Sequence, residues 1–555
     1  MNFLEEIWKR LEDWRDRPVL AKALAEKGAE SPAEATGGDL LGLIQAGRAF
    51  LRAAGVREGD RVALLAPNGI RWVAMDLAIM AEGAIAVALY PRQAMAELAV
   101  ILEDSGSSLV ACADRALADA IAPRAGAARI ALFEEIFAGG AAAPEPPRPL
   151  APAAPVTIIY TSGTSGAPKG VPLTVANVDF MLPCTRARLD QLVGPREEPE
   201  SVFHYLPCCF AGSWILLLTT LGRNAVITFS TDLQRLTEEL QDAQPEYMLN
   251  VPILLERMRD GVEKQIAGRG GLAKHLFDAG RDAYFRRLAK RPQALDGPRL
   301  ALANTTVFPA IRKQLGPSLK ALICGSAPLA LETQLFFAML GIPVLQVYGL
   351  TETTAICTLD DPVHVAAGRV GPAIPGIEMK LGADREILVR GPNIFPGYWN
   401  RAEETAAVLR DGWFHTGDQG EVNENGNWRI IGRLKNLVIL SSGHNVPPEP
   451  IEDQLLRQVP GAQQAMVVGN DRSYLAAIIT GAVNREEAQA AIDQVNGGLP
   501  HYERIRAFHI QTQPFTVESG LVAANGKLRR AAIIEALADA INHLYAAAEQ
   551  RPASH

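Results

Sequence analysis

Residues 161–170 read Thr161-Ser162-Gly163-Thr164-Ser165-Gly166-Ala167-Pro168-Lys169-Gly170, which is three glycines, four hydroxyls and one lysine in ten positions. No core packing explains such a composition, and it reads as a phosphate loop. Glycines reach positive φ and let backbone N–H groups converge on an anion, hydroxyls add donors, and a lysine supplies a mobile charge. Residues 156–160 before it are apolar and β-branched, as expected of a buried strand feeding a loop. The spacing is not that of a Walker A loop, because Lys169 follows a proline. A flexible linker is the competing reading of the composition; the lysine and the preceding strand count against it.

At 555 residues the chain exceeds what one core supports, so two or more domains are expected. Hydrophobic residues at 48% and charged residues at 21% describe a globular protein and exclude wholesale disorder. A formal charge of −8 offers no basic field to nucleic acid. The six cysteines show no Cys-x-x-Cys pair and no zinc spacing, so they are read as reduced thiols of a cytoplasmic protein. No apolar run reaches the roughly 18 residues of a spanning helix, and no signal peptide is expected. Residues 1–15 form an amphipathic pattern, with Phe3, Leu4, Ile7, Leu11 and Trp14 near one face. Docking onto the protein's own body is the favoured reading. Peripheral contact with the inner face of a membrane is the alternative, weakened by the mixed charges of the polar face.

Along the chain, helical and strand signals alternate: 40–54, 61–65, 72–81 and 85–89 predict a sheet with helices packed on its faces. Residues 138–155 are rich in Ala and Pro and predict a surface connection. Residues 256–302 are charged and mostly helical, read as a solvated face. Two strand-to-turn stretches follow, Cys324-Gly325-Ser326-Ala327-Pro328 and Tyr348-Gly349-Leu350-Thr351-Glu352-Thr353-Thr354. Ligands gather at the carboxyl ends of strands in open α/β sheets, so these two turns could share one site. An aromatic beside a glycine, with hydroxyls flanking a carboxylate, suits stacking of a base and holding Mg²⁺ on phosphates. Taken singly, Glu352 is a capping or surface carboxylate.

The turns Asp411-Gly412, Gly417-Asp418 and Asn425-Gly426 predict a hairpin-rich sheet, in which Asp418 could accept from ribose hydroxyls. After Arg433 the pattern becomes compact, with 451–459 helical and 465–469 and 476–479 strand-like. The domain boundary is placed there, giving 1–434 and 435–555. Lys527 beside Gly526, ahead of a helix predicted over 531–548, reads as a lysine carried on a mobile module; an exposed structural lysine is the default.

In this order and at these separations, the stretches resemble the acyl-adenylate-forming superfamily of acyl-CoA synthetases, luciferases and adenylation domains of peptide synthetases, over residues 40–530. Residues 161–170 resemble its signature loop, 348–354 its adenine and Mg²⁺ motif, and 413–418 (Trp-Phe-His-Thr-Gly-Asp) its ribose motif. Gly432-Arg433-Leu434-Lys435 resembles the hinge and Asn525-Gly526-Lys527 the catalytic-lysine loop. The resemblance implies an α/β fold: a large N-terminal domain of layered α/β sheets plus a β-rich subdomain, and a small mobile C-terminal α+β domain. The middle region is similar to long-chain fatty acyl-CoA synthetases, in residues 250–257, 323–329 and 341–344. Residues 442–446 and 449–452 resemble the loop that lines the pantetheine channel after rotation. Two departures stand out. Phe210 occupies the place where the family most often has histidine after Leu206-Pro207, and Ser165-Gly166 replaces the commoner Thr-Gly. Trp214 falls where some bacterial long-chain enzymes carry a gating tryptophan, which favours an acyl tunnel, with core packing an equal reading.

The resemblance implies an ATP-dependent fatty acid–CoA ligase acting through acyl-AMP, with ATP, Mg²⁺ and coenzyme A required and no nucleic acid partner. Thr161, Ser162, Gly163, Thr164, Ser165, Gly166 and Lys169 would hold the β- and γ-phosphates. Tyr348 would face the adenine, Asp418 the ribose and Arg433 the ribose or phosphates, and Gly325, Ser326, Ala327, Gly349 and Gly443 would complete the cofactor-binding set. Glu352 would hold Mg²⁺ with Thr351 beside it, Lys435 would be the hinge, and Lys527 would bridge the carboxylate and α-phosphate. Phe210 and Trp214 would touch the acyl chain. Alternatives are an acyl-AMP ligase serving a carrier protein, an aryl or medium-chain CoA ligase, and a non-catalytic nucleotide-binding or membrane-attached module. Monomer and homodimer both remain open.

Overall fold

A computed structural model describes residues 1–24, 33–139, 145–162, 168–230, 232–523 and 526–549. Strands Arg61–Leu65 and Ile85–Leu89 pair in parallel, and helix Ile70–Ala81 between them is buried along almost its whole length. Their uninterrupted apolar character follows, because a parallel strand is covered on both faces. They sit at the centre of a six-stranded sheet whose far edge is the antiparallel hairpin of Pro155–Ser162 and Pro168–Thr174. The strand before the phosphate loop is therefore longer than 156–160, and Lys169 stands on the returning strand, opposite Thr161.

A second sheet of eight strands contains Ala321–Cys324 and Val344–Tyr348 side by side in parallel. Helices Ile70–Ala81 and Ala211–Leu221 share one buried cluster with the N-terminal helix. That helix, Phe3–Asp13, is closed by a capping box between Asn2 and Glu5 and buries Phe3, Leu4, Ile7, Trp8 and Leu11. Each such side chain contributes roughly 2 kcal/mol by leaving water. The apolar face is thus spent inside the protein, which is the docking reading, and none of it is left to lie on a membrane. Among the described residues no helix is long and apolar enough to cross one.

The segment rich in Gly-containing turns forms a five-stranded sheet that includes Trp413–Val422 and Trp428–Arg433. The C-terminal domain then builds a three-stranded sheet from Ala462–Val468, Leu475–Gly481 and Ile505–Gln511. Successive residues alternate faces. Ala465, Val467, Ala477 and Ile479 pack under helices Glu449–Gln458 and Arg485–Gly497, whereas Met466, Val468, Ala476 and Ile478 pack under the last two helices. Those two, Arg530–Ala536 and Ala538–Glu549, replace the single helix predicted over 531–548. The break is at Leu537 (φ −112°, ψ 21°), which turns its side chain into the same cluster as Ile533 and Ile541.

Candidate active site

Because Ala321–Cys324 and Val344–Tyr348 are parallel neighbours, the turns after them leave the sheet at the same end, and both line one cavity of about 1920 Å³. Gly349 is required there: a Cβ would stand 2.1 Å from the carbonyl oxygen of Ala355. That close approach lets the single helical turn Thr351–Thr353 fold back, with Thr354 and Ala355 at φ +52° and +86° completing the reversal. Left-handed conformations in such residues are strained, and strain of this kind clusters at functional sites. The reversal carries Glu352 inward, to 9% exposure, and leaves Thr351 half-buried beside it.

Asp418 lies opposite Arg433 in the hairpin of Trp413–Val422 and Trp428–Arg433. Its Oδ1 is 2.8 Å from Arg433 Nε, and its Oδ2 accepts from the Tyr348 hydroxyl at 2.8 Å. Burial, and then the Asp418 carboxylate, push the Tyr348 phenol well above its ordinary range, so it remains a donor. Three residues from two sheets are locked together at the mouth of the cavity.

Glu352 is held in turn by Tyr398, whose hydroxyl donates to Oε1 at 2.8 Å. The Tyr398 ring lies 5.3 Å from the Lys169 ammonium, which also pairs with Glu404. Among the described residues no cluster of three metal-ligating side chains exists. Mg²⁺ bound through one carboxylate plus substrate phosphates and waters needs none, and of the two oxygens of Glu352 the Tyr398 hydroxyl takes Oε1. Sequence reasoning misses Tyr398 and Glu404. Neither sits in a motif, and Tyr398 lies 46 positions along the chain from the carboxylate it holds.

Lys527 reaches the cavity from the C-terminal domain. By its surface area Lys527 is exposed, and it is part of the cavity lining. Loss of hydration among the surrounding groups still lowers its ammonium below the ordinary value, with Arg433 acting in the same direction and Asp418 and Glu352 opposing. Lys435, in the turn Leu434–Asn436 at the end of the Arg433 strand, lines the same cavity. Burial lowers its ammonium too, followed by repulsion from Lys169 and Arg433.

Several expected residues stand elsewhere. Gly163, Thr164, Ser165 and Gly166 lie outside the described residues, as does the side chain of Ser162. Gly443 (φ +82°) sits on an exposed turn, where a Cβ would meet nothing within 4 Å, and is not part of the cavity wall. Phe210 is half-buried at the start of helix Ala211–Leu221, its ring 5.9 Å from that of Tyr90. Trp214 is 1% exposed, and its Nε1 donates at 2.9 Å to Oδ2 of Asp76, itself buried. Of the two readings of Trp214, core packing describes these surroundings.

Residues 8–399 match the family described as AMP-binding enzyme, and residues 435–549 match the AMP-binding enzyme C-terminal domain. The chain belongs to the AMP-binding enzyme family. Relatives of this AMP-binding enzyme include the long-chain-fatty-acid–CoA ligase FadD15 of Mycobacterium bovis, 28% identical over 548 residues, with 90% of each chain covered. Long chain acyl-CoA synthetase 1 of Arabidopsis thaliana is 28% identical across 97% of this chain and 89% of its own. Among solved structures, the A domain of a carboxylic acid reductase from Segniliparus rugosus, in complex with AMP and a carboxylic acid, superposes with a TM-score of 0.77. It is 21% identical and covers 98% of this chain and 94% of its own. The anthranilate CoA ligase AuaEII superposes at 0.72 with 18% identity, covering 97% and 98%. These structures show a shared adenylate-forming fold.

Proposed function

We propose that this AMP-forming acid–thiol ligase joins a long-chain fatty acid to coenzyme A. One observation carries the reading: Lys527, from the C-terminal domain, faces the same cavity as Tyr348, Asp418 and Arg433 from the N-terminal one. Such an arrangement suits attack of a carboxylate on the α-phosphate of ATP. Little covalent work falls to the protein in that step, so positioning and neutralisation of charge supply most of the rate. Tyr348 and Gly349, with Gly325, Ser326 and Ala327, would border the adenine, and Asp418 with Arg433 would take the ribose. Thr161 and Lys169, flanking the loop, would grip the leaving pyrophosphate. Glu352 would hold Mg²⁺, which when bound neutralises phosphate charge. Lys527 would stabilise charge developing between carboxylate and α-phosphate. The domain from 435 onward would then turn about Lys435, so that the segment with Gly443 replaces Lys527 before the thiol attacks.

The long-chain substrate is supported by the FadD15 and Arabidopsis relatives. An aryl or shorter acid is the second reading, favoured by the filled core around Trp214 and by Phe210 in place of a hydrogen-bonding side chain. Carboxylate-dependent ATP–pyrophosphate exchange over a panel of acids ranks the two, and product analysis with and without CoA tests the acceptor. Lys527→Ala is expected to abolish exchange and spare thioester formation from supplied acyl-AMP. Equal loss of both half-reactions would sink the assignment.

A further inference from the structure

We propose that Glu97 is a positioning residue for Lys527, acting across the domain boundary through Arg529. The inference rests on the reading above, in which Lys527 serves formation of the acyl-adenylate.

On either side of residues 524–525, the segment of Lys527 pairs with residues 521–523. Ala523 N–H donates to the Lys527 carbonyl at 2.8 Å, Arg529 N–H donates to the Leu521 carbonyl at 2.9 Å, and Val522 bridges Leu528 in antiparallel fashion. Leu528 packs on the core of its own domain, and Lys527 and Arg529 on either side of it both line the cavity.

Arg529 crosses the boundary and donates to Oε1 of Glu97. Glu97 is in the first turn of helix Met95–Ser105 of the N-terminal domain, and its Oε2 accepts from Gln93 Nε2 at 2.8 Å. The carboxylate is therefore fixed from behind while it holds the guanidinium in front. Its pair with Arg529 is shielded, at 21% and 27% exposure, whereas a second boundary pair, Arg457 with Glu332 at 3.1 Å, is at 34% and 61%. Exposed pairs are screened and contribute little, and shielded ones contribute more. Arg529 is two residues from Lys527, at most about 7 Å away along the chain. Because Lys527 and Arg529 are both hydrogen-bonded to residues 521–523, a shift at Arg529 is passed on to Lys527 and moves its ammonium relative to Asp418 and Glu352.

The test uses the full chain with Glu97→Arg and Arg529→Glu, alone and together, Glu97→Gln as the conservative change, and Glu332→Arg as a control at the other boundary pair. Each is measured in ATP–pyrophosphate exchange with the best acid of the panel and in thioester formation from supplied acyl-AMP. Each single reversal should lower exchange kcat about ten-fold, and the double reversal should bring it back to within about three-fold of wild type. Glu97→Gln should fall between, Glu332→Arg should change exchange less than about two-fold, and thioester formation should stay within about two-fold throughout. Unchanged exchange in the singles, no recovery in the double, equal loss of both half-reactions, or an equal effect of Glu332→Arg would overturn the proposal. Lys527→Ala, run alongside, separates the two levels. If it leaves exchange intact, the reading of Lys527 fails. If it abolishes exchange while the Glu97 variants do not affect it, only the Glu97 inference fails.

Discussion

Tyr348 and Asp418, 70 residues apart in sequence, are joined by a 2.8 Å hydrogen bond between phenol and carboxylate, and the other oxygen of Asp418 is taken by Arg433. A carboxylate has about four lone-pair positions, so Asp418 can still receive ribose hydroxyls. Its structural bonds and its proposed ligand bonds draw on the same two oxygens. Asp418→Ala therefore strands a buried phenol and a guanidinium, and should cost about 3 kcal/mol of stability as well as raising KM for ATP. Thermal melting measures the first, and pyrophosphate exchange at varied ATP measures the second. A variant that melts like wild type would show that the contact carries no load.

Tyr398→Phe removes the hydrogen bond that the phenol donates to Glu352 while keeping the ring beside Lys169. The carboxylate then has more freedom, so the Mg²⁺ concentration giving half-maximal pyrophosphate exchange should rise about three- to ten-fold with little change in melting temperature. A Mg²⁺ titration decides it; an unchanged midpoint would restrict Tyr398 to packing.

Trp214→Phe leaves Asp76 without its donor and opens space in a filled core, so a loss of about 2–4 kcal/mol is expected. Its chain-length profile should match wild type, because the indole is packed against protein. Phe210→Ala, at a half-buried helix start, should shift that profile with a smaller loss of stability. Rates across acids of graded length, measured beside melting curves, test the contrast, and a reversed pattern would return Trp214 to the acyl pocket.

Burial raises the Asp76 carboxyl from 3.8 to about 7, with the Trp214 hydrogen bond opposing. A folded-state value above the unfolded one means the native protein holds the proton more tightly. This contribution is full below 3.8 and is lost as pH rises through about 7. Asp76→Asn keeps an acceptor for Trp214 and removes the titration. Its stability advantage over wild type should therefore grow from near zero at pH 4 to at most about 4 kcal/mol above pH 7. Denaturant melts at pH 4.5, 6 and 8 read this directly. A pH-independent difference would contradict it.

Strands 61–65 and 85–89 were legible because continuous apolar runs bounded by turn residues have few other uses, and the N-terminal helix because its period is unbroken. The glycine-marked turns near Asp411 and Asn425 were legible for the same local reason. Tyr348, Asp418 and Lys527 could be singled out because each sits beside a glycine that makes room for a ligand or a turn. Tyr398, Glu404 and Asp76 could not, since what gives them meaning is a partner far along the chain. Asp76 did leave one trace, a carboxylate in a helix otherwise almost wholly apolar apart from Arg71. The break at Leu537 was hidden because an Ala-rich run favours continuous helix, and only tertiary packing overrides that preference.

The alternation of side chains along strands Ala462–Val468 and Leu475–Gly481 of the C-terminal sheet, odd positions to one helix layer and even positions to the other, bears on how the domain holds together. Both faces are sealed by helices of the same domain, so its interior cohesion owes nothing to the neighbour across the cleft. It can behave as a lever of fixed shape. If the domain turns as proposed, the free-energy difference between its orientations is set at the rim, by a few charged side chains and the water they exchange.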